Sequence, residues 1–224
     1  MHEIEIVECY TSYLLKHGVK FRDNGFPLFN SEWIITNKPK VIAPFNKRKY
    51  YRQNKKDISI CYFADDKFLY PRLEKVFSEI EILKEYHSIC MMDISVSPYM
   101  LEEVQEMNLL LNLLYCCVIA INGIKIIPSF RTGSFSTINL LIDSVGKSKY
   151  WVMGSVGTQK SKNSSYLDFL FKAKCLLIMP EVVLSYGRIN ESTYNCLMSL
   201  GIECCIFNDF RRLSYNKEVR YGWL

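Results

Sequence analysis

The chain has 224 residues, 49% of them hydrophobic and 23% charged, with a formal net charge of +5; this composition excludes a disordered polymer, and the length suits one sizeable core better than two full domains. The longest apolar run, Leu109 to Ile121, is interrupted by Asn112 and falls short of the roughly 20 residues that span a bilayer, while Met1-His2-Glu3-Ile4-Glu5 lacks the basic and apolar parts of a secretory signal. The expected setting is cytoplasmic, with no membrane partner.

The first 57 residues contain Gly18, Gly25, Pro27, Pro39 and Pro44, and are expected to form an irregular or small β segment packed on the main domain. Between Lys38 and Lys56 there are eight Lys or Arg and no acidic residue, so this segment is expected to show a basic surface. Residues 58–210 are expected to form an α/β domain. Its candidate strands are Ile58–Phe63, Ile89–Ile94, Ile124–Phe130, Tyr150–Ser155, Val182–Tyr186 and Glu203–Phe207. Between them, Lys67–Tyr86, Tyr99–Ala120, Ser134–Val145, Ser164–Met179 and Asn190–Leu200 carry apolar residues at three- and four-residue spacing and read as helices. Such alternation predicts βαβ units and a mainly parallel sheet of about six strands, in three layers or as a partial barrel. Pro71 and Pro98 sit near helix starts, and Gly123 and Gly201 follow helices, where a left-handed residue closes the last turn. Residues 211–224 are expected to be a basic tail or closing edge.

Nine cysteines, an odd number without CxxC spacing, fall mostly in apolar runs. They read as small buried hydrophobes of a reducing compartment, which speaks against zinc. The three histidines, His2, His17 and His87, lie away from the predicted strand ends, which sets nucleophilic triads aside there.

Several motifs occur in a telling order. Ala43-Pro44-Phe45-Asn46 is followed by Tyr62-Phe63-Ala64-Asp65-Asp66-Lys67-Phe68, then by Met91-Met92-Asp93-Ile94-Ser95, Asn108 and Asn122-Gly123-Ile124-Lys125-Ile126-Ile127-Pro128. Gly154-Ser155-Val156-Gly157 and Ser185-Tyr186-Gly187 come after them. Over about residues 40 to 208 this resembles the DUF4417 domain family, encoded in bacteria, especially Firmicutes, and on their phages and mobile elements. The resemblance implies an α/β fold and a genomic setting but transfers no activity. Leu111 and Leu113 stand where the family's helix carries arginines, and Arg131 and Thr132 occupy the region of its tryptophan. If those family residues bind a ligand, the departures imply that this chain has lost it and is a diverged member with a new task.

Ligands of open parallel sheets and barrels bind at the carboxyl ends of the strands. The polar residues there are Asp65 and Asp66, Asp93 and Ser95, Ser129 and Arg131, Ser155 and Gly157, Tyr186, and Asn208 with Asp209. Asp65 or Asp66 either caps the following helix or serves a ligand. Asp93 interrupts an apolar strand and needs a compensating partner, structural or functional. Asn108, on an apolar helix, reads as a satisfied buried amide or a ligand contact. The Ser155–Gly157 loop is a weak candidate for an anion-binding turn. A divalent metal on Asp65, Asp66 and Asp93 lacks a motif, so no metal and no cofactor is assigned.

Two functions are carried forward. In the first, an accessory protein of a phage or mobile element, serving counter-defence, binds a host or defence protein or nucleic acid through Lys47, Arg48, Lys49, Tyr50, Tyr51 and Arg52, the tyrosines being available for base stacking. In the second, a small enzyme or ligand-binding domain acts on a phosphorylated or nucleotide-like molecule, with Asp93 at its polar centre and Arg131 or the Ser155 loop on the anion.

Overall fold

The structure, a computed structural model, describes residues 2–154 and 164–215. It opens with helix α1 (Glu3–Lys16), whose buried Ile6, Tyr10 and Leu14 recur every four residues and form one face. The N-terminal segment therefore begins as a helix rather than as irregular chain. Its second part supplies a strand, β1 (Val41–Pro44), followed by a 3-10 turn over Phe45–Tyr50.

The remaining elements are β2 (Ile58–Cys61), α2 (Asp66–Leu73), α3 (Val76–Leu83), β3 (Ser88–Cys90), α4 (Glu102–Ile121), β4 (Ile126–Ile127), α5 (Phe135–Val145), β5 (Tyr150–Gly154), α6 (Ser164–Ile178), β6 (Val182–Tyr186), α7 (Glu191–Ser199), β7 (Glu203–Phe207) and α8 (Phe210–Tyr215). The helix expected over Lys67–Tyr86 is two helices. Pro71 lies inside α2, where it removes an amide donor and crowds the preceding turn, and the helix ends two residues later. Helix α8 carries the chain across the expected boundary at residue 211.

The expected single sheet of six strands is two parallel sheets, β1-β2-β3-β4 and β5-β6-β7. Between them the ladder narrows to one bridge, Ser129 to Val152. There the Val152 amide donates to the Pro128 carbonyl at 2.8 Å and the Phe130 amide to the Val152 carbonyl at 3.3 Å. Pro128 itself has no amide hydrogen to extend the pairing, which is why β4 is short and the sheets divide. Even so, Ile42 of β1, Cys61 of β2, Cys90 of β3, Ile127 of β4, Val152 of β5 and Leu184 of β6 meet in one apolar cluster, with Cys205 of β7 against it. The opposite strand faces, through residues such as Ile60, Ile89, Trp151 and Val183, join the larger core under the helices.

Helix α4 runs through that larger core. Among the described residues it is the one helix long and apolar enough to cross a membrane by length and composition, and 72% of its apolar window is buried inside the protein; it is packed as a core helix, with α1, α3 and α5 against it. It ends at Asn122, and Gly123 follows at φ 87°, a conformation that any side chain would strain.

Candidate functional site at the strand ends

Past Cys90 the chain leaves the sheet but stays buried, and side chains of α4 replace a neighbouring strand. Asn112 accepts from the Ile94 amide and donates to the Ile94 carbonyl, both at 2.9 Å. One helical turn earlier, Asn108 donates to the Ser95 carbonyl at 2.8 Å and accepts from the Tyr70 hydroxyl at 3.3 Å. Gln105 accepts from the Ser134 amide at 2.7 Å and donates to the Met100 carbonyl at 2.9 Å. Residues 105, 108 and 112 share one helix face, so a stripe of buried amides holds the loops that follow β3 and β4.

This frame aims Asp93 at Arg131. The guanidinium donates from Nε to Oδ1 at 2.6 Å and from Nη2 to Oδ2 at 2.5 Å, a two-pronged pair. Asp93 is 4% exposed. Burial pushes its carboxyl up from the ordinary range, Arg131 pulls it back, and nearby Asp66 adds to the rise. Arg131 is in turn pushed up, chiefly by the charge of Asp93. Asp66, the first residue of α2, accepts from the Ser95 amide at 3.0 Å and the Ser95 hydroxyl at 3.1 Å, tying the β2 exit to the β3 exit. The Arg131 amide donates to Ser129 Oγ at 3.3 Å. Among the described residues no acceptor meets Arg131 Nη1.

Lys174, on α6, also belongs here. Its ammonium donates to the carbonyls of Thr132 at 2.6 Å and Phe130 at 3.3 Å, clasping the residues on either side of Arg131. Burial, and next the Arg131 charge, push the amine down to about 7. Thr132 Oγ1 beside it is buried without a hydrogen-bond partner. Sequence patterning gave no signal for Lys174, because on α6 it reads as an ordinary polar position of an amphipathic helix.

The other expected site residues are placed variously. Asp65 occupies the residue before α2 but makes no capping bond from its side chain; it is exposed, with Lys67 3.8 Å away. Tyr186 is buried, stacks on Phe63 at 5.8 Å between centroids and accepts from the Phe210 amide at 3.1 Å; burial raises its phenol. Phe63 also presses against Gly154, where a Cβ would come within 2.4 Å of the ring, so only glycine lets β5 approach so closely. Ser155 and Gly157 lie outside the described residues. Among the described residues no three His, Cys, Asp or Glu groups converge as a metal site, and Asp65 does not join Asp66 and Asp93.

The basic segment is partly spent on the fold. Arg48 donates to the buried Glu79 at 3.1 Å, and Arg72 reaches the same oxygen. Tyr51 is 0% exposed and unavailable for stacking against a base. Lys47 sits over the Phe210 ring at 5.5 Å and Lys49 over Tyr50 at 5.3 Å, while Arg52 Nε donates to the Lys49 carbonyl at 3.2 Å.

Comparison with known proteins agrees with the motif order. No curated protein and no solved structure matches the chain. The family model described as a domain of unknown function (DUF4417) matches residues 29–203, from the segment between α1 and β1 to the first residue of β7. By that match the chain belongs to the DUF4417 family.

Proposed function

We propose that the protein is a ligand-binding or small catalytic domain acting on a phosphorylated or nucleotide-like anion at the carboxyl ends of its strands. In this reading the two sheets work as one curved parallel wall, a partial βα barrel whose exit loops carry the site. The observation that carries it is the bidentate pair of buried Asp93 with the half-buried Arg131 between the exits of β3 and β4. Taking such a pair out of water costs several kcal/mol, roughly as much as its attraction returns, and an apolar pair would serve stability as well. A charged pair kept at strand ends is better explained by work on a ligand. Asp93 orients the guanidinium, Arg131 Nη1 faces the anion, and Lys174 fixes the loop that carries Arg131.

The test is a thermal-shift panel of phosphorylated small molecules on the wild type and on Arg131→Lys, which keeps the charge but loses the planar fork. At least one compound is expected to raise the wild-type Tm and to lose that effect in the variant. A panel with no response, or equal responses from both proteins, would reject the assignment.

A second reading, an accessory protein that binds a host or defence macromolecule, draws support from Lys49, Tyr50 and Arg52, which remain exposed beside the half-buried Lys47. Affinity purification of the tagged protein from its host cells, scored for stoichiometric protein and nucleic acid, tests it. A clean eluate removes this reading.

A further inference from the structure

At the opposite end of the sheet, where β2, β3 and β4 begin, lies a cleft of about 290 Å³. Its apolar wall includes Ile35, Ile124 and Tyr86, and Lys56, Lys84, Lys125 and His87 stand around it; no carboxylate lines it. Lys56 and Lys125 are exposed, but each ammonium is held by a backbone carbonyl. The Lys56 ammonium donates to the Lys84 carbonyl at 2.7 Å, and the Lys125 ammonium donates to the Glu32 carbonyl. Among the described residues neither meets an acid, whereas Lys84 pairs with Glu81 at 2.7 Å. His87 is held too. Its backbone amide donates to the Ile58 carbonyl at 2.9 Å, and Nδ1 lies 2.9 Å from Ser88 Oγ, which leaves Nε2 as the ring nitrogen available to a ligand.

Backbone carbonyls thus fix two unneutralised ammonium groups at one concave site, where low-dielectric walls focus their field. Two ammonium groups held at one concave surface attract a small polyanion. The size of the cleft suits one small molecule. We propose that this cleft is a second binding site, separate from the strand ends, for a small phosphate-bearing molecule, with Lys56 and Lys125 on the phosphate and Ile35, Ile124 and Tyr86 against any apolar part.

The protein carries its own reporter, because His87 lines the cleft while the other two histidines, His2 and His17, lie at the ends of α1. Inorganic pyrophosphate is titrated into the full chain while the three imidazole resonances are followed by NMR. The His87 signal is expected to move saturably while His2 and His17 stay in place. Each lost ammonium contact should weaken the response roughly tenfold, in Lys56→Gln/Lys125→Gln and, should that variant fold poorly, in Lys125→Gln alone. Arg131→Lys should leave the His87 response intact. An unmoved His87 signal, equal movement of all three, or an unchanged titration in the folded lysine variants overturns the proposal. Loss of the response in Arg131→Lys alone would place the anion at the strand ends and overturn it as well, so the two sites fail separately.

Discussion

Among the described residues two acids are buried, and each is paired with arginine, yet they are built differently. Asp93 gives both of its oxygens to one planar guanidinium. Glu79 offers a single oxygen to both Arg48 and Arg72, and its second oxygen, like Arg72 Nε, is buried without a partner. The first pair joins the exit loops of adjacent strands, whereas the second ties the turn after β1 to α2 and α3 on the helical side. Burial of charge is common to both, so it does not by itself mark a site. Position and geometry separate them: one planar fork closed on one carboxylate at the strand ends, against two cations sharing an oxygen between supporting elements.

The sharpest way to break this comparison is to remove each acid. Asp93→Ala leaves Arg131, whose side chain is 28% exposed, without its partner, and denaturant unfolding should show a loss of about 3 kcal/mol, the low end for a broken buried pair. Glu79→Gln keeps an acceptor for the arginines, which are each about a quarter exposed, and should cost about 2 kcal/mol. The more telling readout is ligand response, which Glu79→Gln should preserve. If Glu79→Gln also abolished a phosphate response at the strand ends, the two pairs would be one network and the distinction would fall.

Much of the framework was legible in the sequence, for identifiable reasons. The runs Val182–Tyr186 and Glu203–Phe207 are strands over the bounds their composition predicts, because each is a full ladder bounded by turn residues. The runs after His87 and Gly123 look longer in sequence than the strands they form: beyond Cys90 the extended chain pairs with side chains of α4, and beyond Ile127 with Val152 alone, so neither continues a full ladder, and periodicity cannot tell the difference. Helix α1 was missed because Glu3, Glu5 and Glu8 masked the four-residue spacing of Ile6, Tyr10 and Leu14. At the site, Asp93 stood out as a carboxylate in an apolar run, and Arg131 as a polar residue at the next strand end. Their pairing depends on β3 lying beside β4, and the clasp by Lys174 depends on where α6 packs; neither is a local property of the chain. Tyr51 shows the converse, an aromatic in a basic stretch that packing took into the core.

A smaller effect sharpens the account of what aims Asp93. Asn112→Leu fits the apolar surroundings but strands the amide and carbonyl of Ile94, which is fully buried. Leaving those groups unsatisfied should cost about 2–3 kcal/mol. Asn108→Leu should cost about 1 kcal/mol, because the Ser95 carbonyl it serves is nearer solvent. Guanidinium unfolding curves check both, and equal costs would mean that the stripe of amides is not what supports the β3 exit.

The effect at Lys174 depends on pH. Its amine is pushed down to about 7 in the folded protein from the usual lysine value near 10.5. Between those two values the unfolded chain holds a proton that the folded one has released, so stability rises with pH across that window. The full slope for one proton is about 1.4 kcal/mol per pH unit; the carbonyls of Phe130 and Thr132 favour the charged amine and make the observed slope shallower. In Lys174→Met this rise should disappear, which unfolding curves from pH 7 to 10 will show as a stability gap that widens in favour of the wild type as the pH climbs. A gap that stays constant would mean that Lys174 remains protonated throughout, a fixed clasp on the Arg131 loop with no titration of its own.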